Sequence, residues 1–324
     1  MAQNIFVLAL DDFHLEYLRG IHHADQYRFH GLLEYRDLVR ASRYPMRELL
    51  ERAEKQLKNF SGSIDGLIAY WDFPASTMAP FLRRRFDLPG PTVESVLRCE
   101  HKYWSRLVQR EIVPDIVPDF CVVDPFADNP LQQIDIPFPF WLKPIRAHSS
   151  HLGFRIEDEN ELLHALSIIR SKLRRFAEPF NVLLEEADLP PEVRSVDGYK
   201  CLAEGIICAD RQCTLEGYVY DGEPRIYGTV DSLRNDHHSS FSRYQYPSTL
   251  PGELQSRMID AARKVMRRIG FDDGPFNIEF FYDEKSDHLW VLEINARISK
   301  SHCPLFQMVE GSSHHEVAVN LAVG

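Results

Sequence analysis

The chain has 324 residues, 44% hydrophobic and 26% charged, with a net charge of −11. That length suits about two domains, and the composition is too apolar for a disordered protein. The acidic balance argues against nucleic-acid binding by bulk phosphate neutralisation, and clean apolar runs such as Ile5 to Leu10 are too short for a membrane span. Asp11 and Asp12 end that run with no basic segment before it, so no secretory leader is expected. Six scattered cysteines without a C-x-x-C pair read as free thiols, which places the protein in the cytoplasm.

Taken in chain order, "NIFVLAL" reads as a buried strand followed by an Asp-rich turn and the amphipathic "FHLEYLRGI". Met46 to Leu57 has helical spacing and Asp65 to Asp72 is a short apolar strand, a strand–helix–strand order that predicts parallel α/β packing. The breaker cluster "LPGPT", Leu88 to Thr92, marks a boundary. One helix is expected over Glu94 to Arg110 with Thr92 as its cap, then the strand "FPFWLKPI", then a helix near Glu159 to Arg175. Glu178 to Tyr199 carries three prolines and little period, and reads as an insertion. Strands dominate afterwards: "KCLAEGII", "CTLEGYVYDG", "EPRIYGTVDS", and, beyond a helix over Glu253 to Arg268, "FNIEFFYD" and "HLWVLEINARI".

P-loop, dinucleotide, zinc-protease and esterase motifs are all absent from the sequence. The most informative segment is Phe276 to Ile298. Glu293, Asn295 and Arg297 alternate with apolar Leu292, Ile294, Ala296 and Ile298, so the three polar groups share one face of a strand. Glu279 is likewise flanked by Ile278 and Phe280, and a short hairpin would bring it to Glu293 and Asn295. Two carboxylates and an amide oxygen suit Mg²⁺, and Arg297 adds a planar cation for phosphate or carboxylate. The same alternation also describes a polar stripe on any half-buried sheet, and spacing alone does not choose between them.

The segment "FNIEFFYD…WVLEINARISKSHCPLFQMVEGSSHHEVAVNLAVG" resembles the C-terminal signature of ATP-grasp enzymes. Upstream, "LPGPTVESVLRCEHKYWSRLVQRE", "FPFWLKPIRAHSSHLGFRI" and "CLAEGIICADRQCTLEGYVYDGEPRIYGTVDS" resemble the family's other segments in its order. The resemblance spans roughly residues 88 to 324. It implies an α/β (α+β grasp) fold: a parallel α/β domain over 1–92, then a grasp domain over 93–324 with antiparallel sheets. The small lid subdomain would take about 115–205 and the large subdomain about 206–324.

The resemblance further implies ATP with Mg²⁺ or Mn²⁺ as cofactors. Glu279, Glu293 and Asn295 would hold metal, and Lys102 and Lys143 the phosphates under a loop containing Ser149, Ser150 and Gly153. Glu204 and the nearby backbone at Ile207 would meet adenine, with Gln212 towards ribose and Phe281 packed on the base. Glu185 in "LLEEADL" offers a second hinge register, and Glu204 is preferred for its eight-residue step to Gln212, as in the biotin carboxylase branch. Ser301 occupies the place of that branch's bicarbonate base, which argues against biotin carboxylation. The phosphate loop holds one glycine where many relatives have several.

The activity implied is a carboxylate–amine or carboxylate–thiol ligase that forms an acyl phosphate and releases ADP, with Arg297 and Arg243 as catalytic groups. A kinase-type phosphotransferase and a non-catalytic nucleotide-binding module are the alternatives. Small carboxylic acids and amines would be the partners, with no nucleic acid or membrane. Related ligases are often dimers, which makes a homodimer an expectation, and many continue beyond the "NLAVG" that ends this sequence. The segment Asn235 to Ser248 reads as a mobile polar loop suited to a substrate lid, with Arg234 and Arg243 on it. His22, His23 and His30, His237–His238 and His314–His315 fit no standard metal spacing among fourteen histidines. Cys303 reads as a buried structural thiol and Asp11 and Asp12 as turn or cap residues.

Overall fold

Three strands open the chain: β1 (Gln3–Leu8), β2 (Tyr27–Leu32) and β3 (Gly66–Ile68), in the order β2-β1-β3 and all parallel. The computed structural model describes residues 2–147, 151–234 and 241–324. β1 is almost wholly buried because helices cover both faces of a parallel sheet. Asp11 caps the helix Asp12–Arg19, accepting the His14 N–H at 3.1 Å, and its other oxygen meets His14 Nδ1 at 2.6 Å. The strand β2 and the helix Ala75–Phe86 belong to this region too; neither is apparent in the sequence pattern.

The single helix expected over Glu94 to Arg110 is two helices, Val93–Glu100 and Lys102–Ile112. His101 lies between them in an extended conformation, and its Nδ1 accepts the Trp104 N–H at 3.3 Å, so it caps the second helix. Its Nε2 meets the Val196 carbonyl at 2.8 Å, and burial lowers its pKa to about 4, so the ring stays neutral and Nδ1 keeps its lone pair. The break turns Glu100 and Lys102 towards one cleft.

The small sheet contains β4 (Phe120–Val123), β5 (Phe140–Pro144), β6 (Phe154–Ile156) and β7 (Cys201–Gly205), ordered β4-β7-β5-β6 and antiparallel. The helix Glu159–Lys172 packs on it, capped by Asp158. The insertion expected from Glu178 onwards is largely helical: Arg174–Leu184 continues past Pro179 because Phe176, Phe180, Leu183 and Leu184 bury one face. That face meets the N-terminal region, where Phe180 packs edge-on to Phe73 at 6.0 Å. Tertiary burial outweighs the proline here.

The large sheet is antiparallel throughout, ordered β10-β9-β8-β11-β12. Its strands are β8 (Arg211–Tyr220), β9 (Glu223–Arg234), β10 (Phe241–Gln245), β11 (Gly274–Asp283) and β12 (His288–Asn295). The helix Gly252–Ile269 covers one face through Leu254, Met258, Ala262, Val265 and Met266. The segment expected as a loop from Asn235 onwards ends in an edge strand, β10; residues 235–240, with His237 and His238, lie outside the described residues. Among the described residues, no helix is long and apolar enough to cross a membrane.

Candidate active site

The β11–β12 hairpin places Glu279 directly opposite Glu293, and Asn277 opposite Asn295. A register shift follows at Glu279/Phe280, where Leu292 is the unpaired residue of β12. Asn295 Nδ2 donates to Asn277 Oδ1 at 3.0 Å, and Asn277 Nδ2 donates to the Arg297 carbonyl at 2.9 Å, which fixes both amides. Gln212, on the neighbouring β8, donates to Glu279 Oε2 at 2.9 Å. The carboxylates and the Asn295 amide therefore line one wall of a cleft.

Cations from three chain segments line the same cleft. Lys143 on β5 pairs with Glu204 on β7 at 2.6 Å, and Arg106 reaches the other oxygen of Glu204 at 2.7 Å. Burial opposes charge on Glu204, yet Arg106 and Lys143 hold its pKa at about 2. Arg106 also donates to the carbonyls of Val291 and Leu292, at 2.9 and 2.8 Å, so one buried guanidinium ties the small sheet to the hairpin. Arg146 pairs with Glu100 at 2.9 Å, and Thr77 donates to that same carboxylate. Arg297 and Lys300 share Asp72, which follows β3 in the N-terminal region.

Lys102 differs from these cations. Its Nζ donates to the Ala147 carbonyl at 2.9 Å, and no carboxylate lies within salt-bridge distance among the described residues. Burial lowers its pKa to about 7; Glu293 pulls it up, while Arg146 and Lys143 add to the depression. Arg297 is also buried, but Asp72 more than offsets that and raises its pKa.

Eight of the residues singled out in the sequence line this cleft: Lys102, Lys143, Glu204, Glu279, Glu293, Asn295, Arg297 and Ser301. Gly153, Ile207, Gln212, Phe281 and Arg243 are not among its lining residues. Gln212 is buried behind Glu279, Phe281 lies opposite Gln212, and Arg243 is exposed on β10. Ser149 and Ser150, and the side chain of Arg234, lie outside the described residues. The alternative Glu185 ends the helix Arg174–Leu184 and pairs with Arg47 on the exposed surface, so its register is not a hinge strand.

Asp72, Glu100, Arg106, Arg146 and Lys300 also line the cleft and escaped sequence reasoning. Arg146 could have been found from its three-residue step beyond Lys143, and Asp72 from its place after a parallel strand, where α/β ligand sites collect. Among the described residues no three His, Cys, Asp or Glu side chains converge as a metal site. Two carboxylates and an amide oxygen suit a hard cation that takes its remaining oxygens from water or phosphate.

A family model for the ATP-grasp domain matches residues 136–304. The N-terminal section of a carbamoyl phosphate synthase large chain from Aquifex aeolicus is 38% identical over 245 residues, covering 74% of this chain and 39% of that protein. The uncharacterized protein y4rH from Sinorhizobium fredii is 28% identical over 218 residues, covering 67% of this chain and 40% of that protein. The chain thus spans less than half the length of either relative.

Among solved structures, an L-amino acid ligase from Bacillus licheniformis superposes with a TM-score of 0.71 at 15% identity, over 99% of this chain and 74% of that one. A biotin carboxylase from Campylobacter jejuni gives 0.69 at 17% identity, over 99% and 71%. A D-alanine–D-alanine ligase from Bacillus anthracis gives 0.66 at 14% identity, over 99% and 96%. These likenesses establish a shared fold. Because the family match covers just over half of the chain, this protein belongs to the ATP-grasp family.

Proposed function

We propose that this protein is an ATP-dependent ligase that activates a small carboxylic acid as an acyl phosphate, releases ADP and phosphate, and joins the acid to an amine or a thiol. The reading rests on one observation. Glu279, Glu293 and Asn295 on the hairpin line a single cleft together with Lys102, Lys143, Arg146, Arg297 and Lys300. In this reading residues 1–92 precede the grasp, 115–205 form the lid and 206–324 the large subdomain.

Mg²⁺ held by Glu279, Glu293 and Asn295 would neutralise charge on the transferring phosphoryl group. Lys102 and Lys143 approach the cleft from separate elements and would clamp the phosphates between them. Arg297, aimed by Asp72, would hold the acid's carboxylate and then the oxyanion of the tetrahedral intermediate. Lys300, on the same aspartate, would add a second cation at that end.

The test is ADP release from ATP with pooled amino acids and small carboxylic acids, with and without hydroxylamine. Mg²⁺-dependent ADP together with hydroxamate is the expected result, and splitting the pools then names the acid. ADP with a stable phosphorylated product and no hydroxamate would replace the ligase by a phosphotransferase. ATP binding without ADP from any pool would sink the catalytic reading.

A further inference from the structure

Beyond Lys300 the chain brings His302, 2% exposed, against Glu216 of β8 and Tyr244 of β10, and His302 is one of the residues lining the cleft. Its Nδ1 lies 2.7 Å from Glu216 Oε1, and Glu216 is wholly buried in β8. A carboxylate on Nδ1 fixes the proton there in the neutral ring, which leaves Nε2 with its lone pair. Nε2 has no hydrogen-bond partner among the described residues, and the Tyr244 ring stands edge-on to the imidazole at 4.6 Å.

The second histidine near Glu216 does not compete for this role. His314 Nε2 lies 2.7 Å from the Ser299 carbonyl and must carry a proton, so its Nδ1 accepts from the Tyr227 hydroxyl at 3.1 Å. Burial lowers the pKa of His314, which favours its neutral form. Its 3.7 Å approach to Glu216 is therefore not a hydrogen bond. Of the two imidazoles, the one that Glu216 orients is the one that lines the cleft.

We propose that His302 is the general base for the acceptor amine in the second half-reaction, with Glu216 as its positioning residue. This rests on the ligase reading. The amine lone pair attacks the acyl carbon and forms the C–N bond. The C–O bond to phosphate breaks, and inorganic phosphate leaves with that oxygen and its electron pair. The proton shed by nitrogen passes to His302 Nε2 and then to solvent. The carboxylate–imidazole pairing is the arrangement by which a base is held for a nucleophile.

Hydroxylamine separates this proposal from the reading beneath it, because it is neutral at pH 7 and attacks an acyl phosphate without a base. With the acid identified and wild-type protein forming both hydroxamate and amide, His302→Asn should lower amide formation about 100-fold or more. Hydroxamate formation should fall far less, so the hydroxamate-to-amide ratio rises. Glu216→Gln should move the ratio in the same direction by a smaller factor, which a merely structural role would not do. An unchanged ratio in a variant that melts like wild type and binds MgATP would overturn the base. If His302→Asn does not fold, His302→Gln takes its place under the same criterion. Wild-type protein giving no hydroxamate would instead overturn the ligase reading, and this proposal with it.

Discussion

The two walls of the cleft are built in opposite ways. On the hairpin, backbone register sets Glu279 against Glu293 and Asn277 against Asn295 within one stretch of about twenty residues. The cation wall is assembled from distant segments, and most of its charges are already matched: Lys143 by Glu204, Arg146 by Glu100, Arg297 and Lys300 by Asp72. Lys102 alone among these five holds a carbonyl in place of a carboxylate. The hairpin thus sets two carboxylates and an amide oxygen side by side on the cleft, a donor set that suits a cation. An incoming phosphate would find internal acids already engaging every cation except Lys102.

The largest effect should come from breaking the link between the walls. Arg106→Ala leaves Glu204 buried with Lys143 as its remaining partner and strips two carbonyls of their donor. Removing one partner of a buried pair costs about 3–5 kcal/mol, to be read from urea unfolding. The pH dependence follows from the same pair. Glu204 sits at about 2 against an ordinary 4.5, so its stabilisation is complete above pH 4.5 and is lost as pH falls towards 2. Arg106→Ala should flatten that acid limb, and an unaltered limb would show that Lys143 alone holds the carboxylate.

Next comes the hairpin. Glu293→Ala should lower Mg²⁺-dependent ADP release by about 100- to 1,000-fold in a coupled assay, with the melting temperature little changed because the side chain is only half-buried. Intact turnover in this variant would remove the hairpin from the chemistry.

The contrast between the walls also governs what the sequence could reveal. Alternation in "LEINARI" exposes its polar face because strand period is a local property, and the hairpin carries Glu279 to the same place. Asp72 and Arg297 are 225 residues apart, and nothing local in either segment announces their pairing. Glu100 and Lys102 sit in what reads as one continuous helix, whereas His101, buried and neutral, ends one helix and caps the next. The helix Arg174–Leu184 was hidden by Pro179, because the burial that sustains it depends on the N-terminal region. Elements fixed by local period are legible in the sequence; partners fixed by tertiary approach are not.

Lys102 sharpens the comparison at a smaller scale. Burial lowers its pKa to about 7, far enough for its charge to change near neutral pH in the unliganded protein. A polyphosphate beside it would favour the charged form, so MgATP binding should take up a fraction of a proton near neutral pH, and more at pH 8 than at pH 7. Calorimetry in buffers of different ionisation enthalpy reads this directly, and Lys102→Met should abolish it. Uptake that persists in Lys102→Met would assign the proton to another group and end the distinction between Lys102 and its paired neighbours.

The smallest effect is expected at Glu185, whose value lies in its contrast with Glu204. Both are glutamates that sequence alone offers for the hinge, yet one lines the cleft and the other pairs with Arg47 on the exposed surface. A solvent-exposed pair of long side chains gains little Coulomb energy and loses rotamer freedom, so Glu185→Ala should change stability by about 0.5 kcal/mol or less. MgATP affinity should be that of wild type. Glu204→Gln keeps the shape but removes the charge that Arg106 and Lys143 share, so it should weaken the fold and alter nucleotide affinity together. A loss of MgATP affinity in Glu185→Ala with Glu204→Gln unaffected would reverse the assignment, since an exposed helix-end carboxylate has no other physical route to the nucleotide.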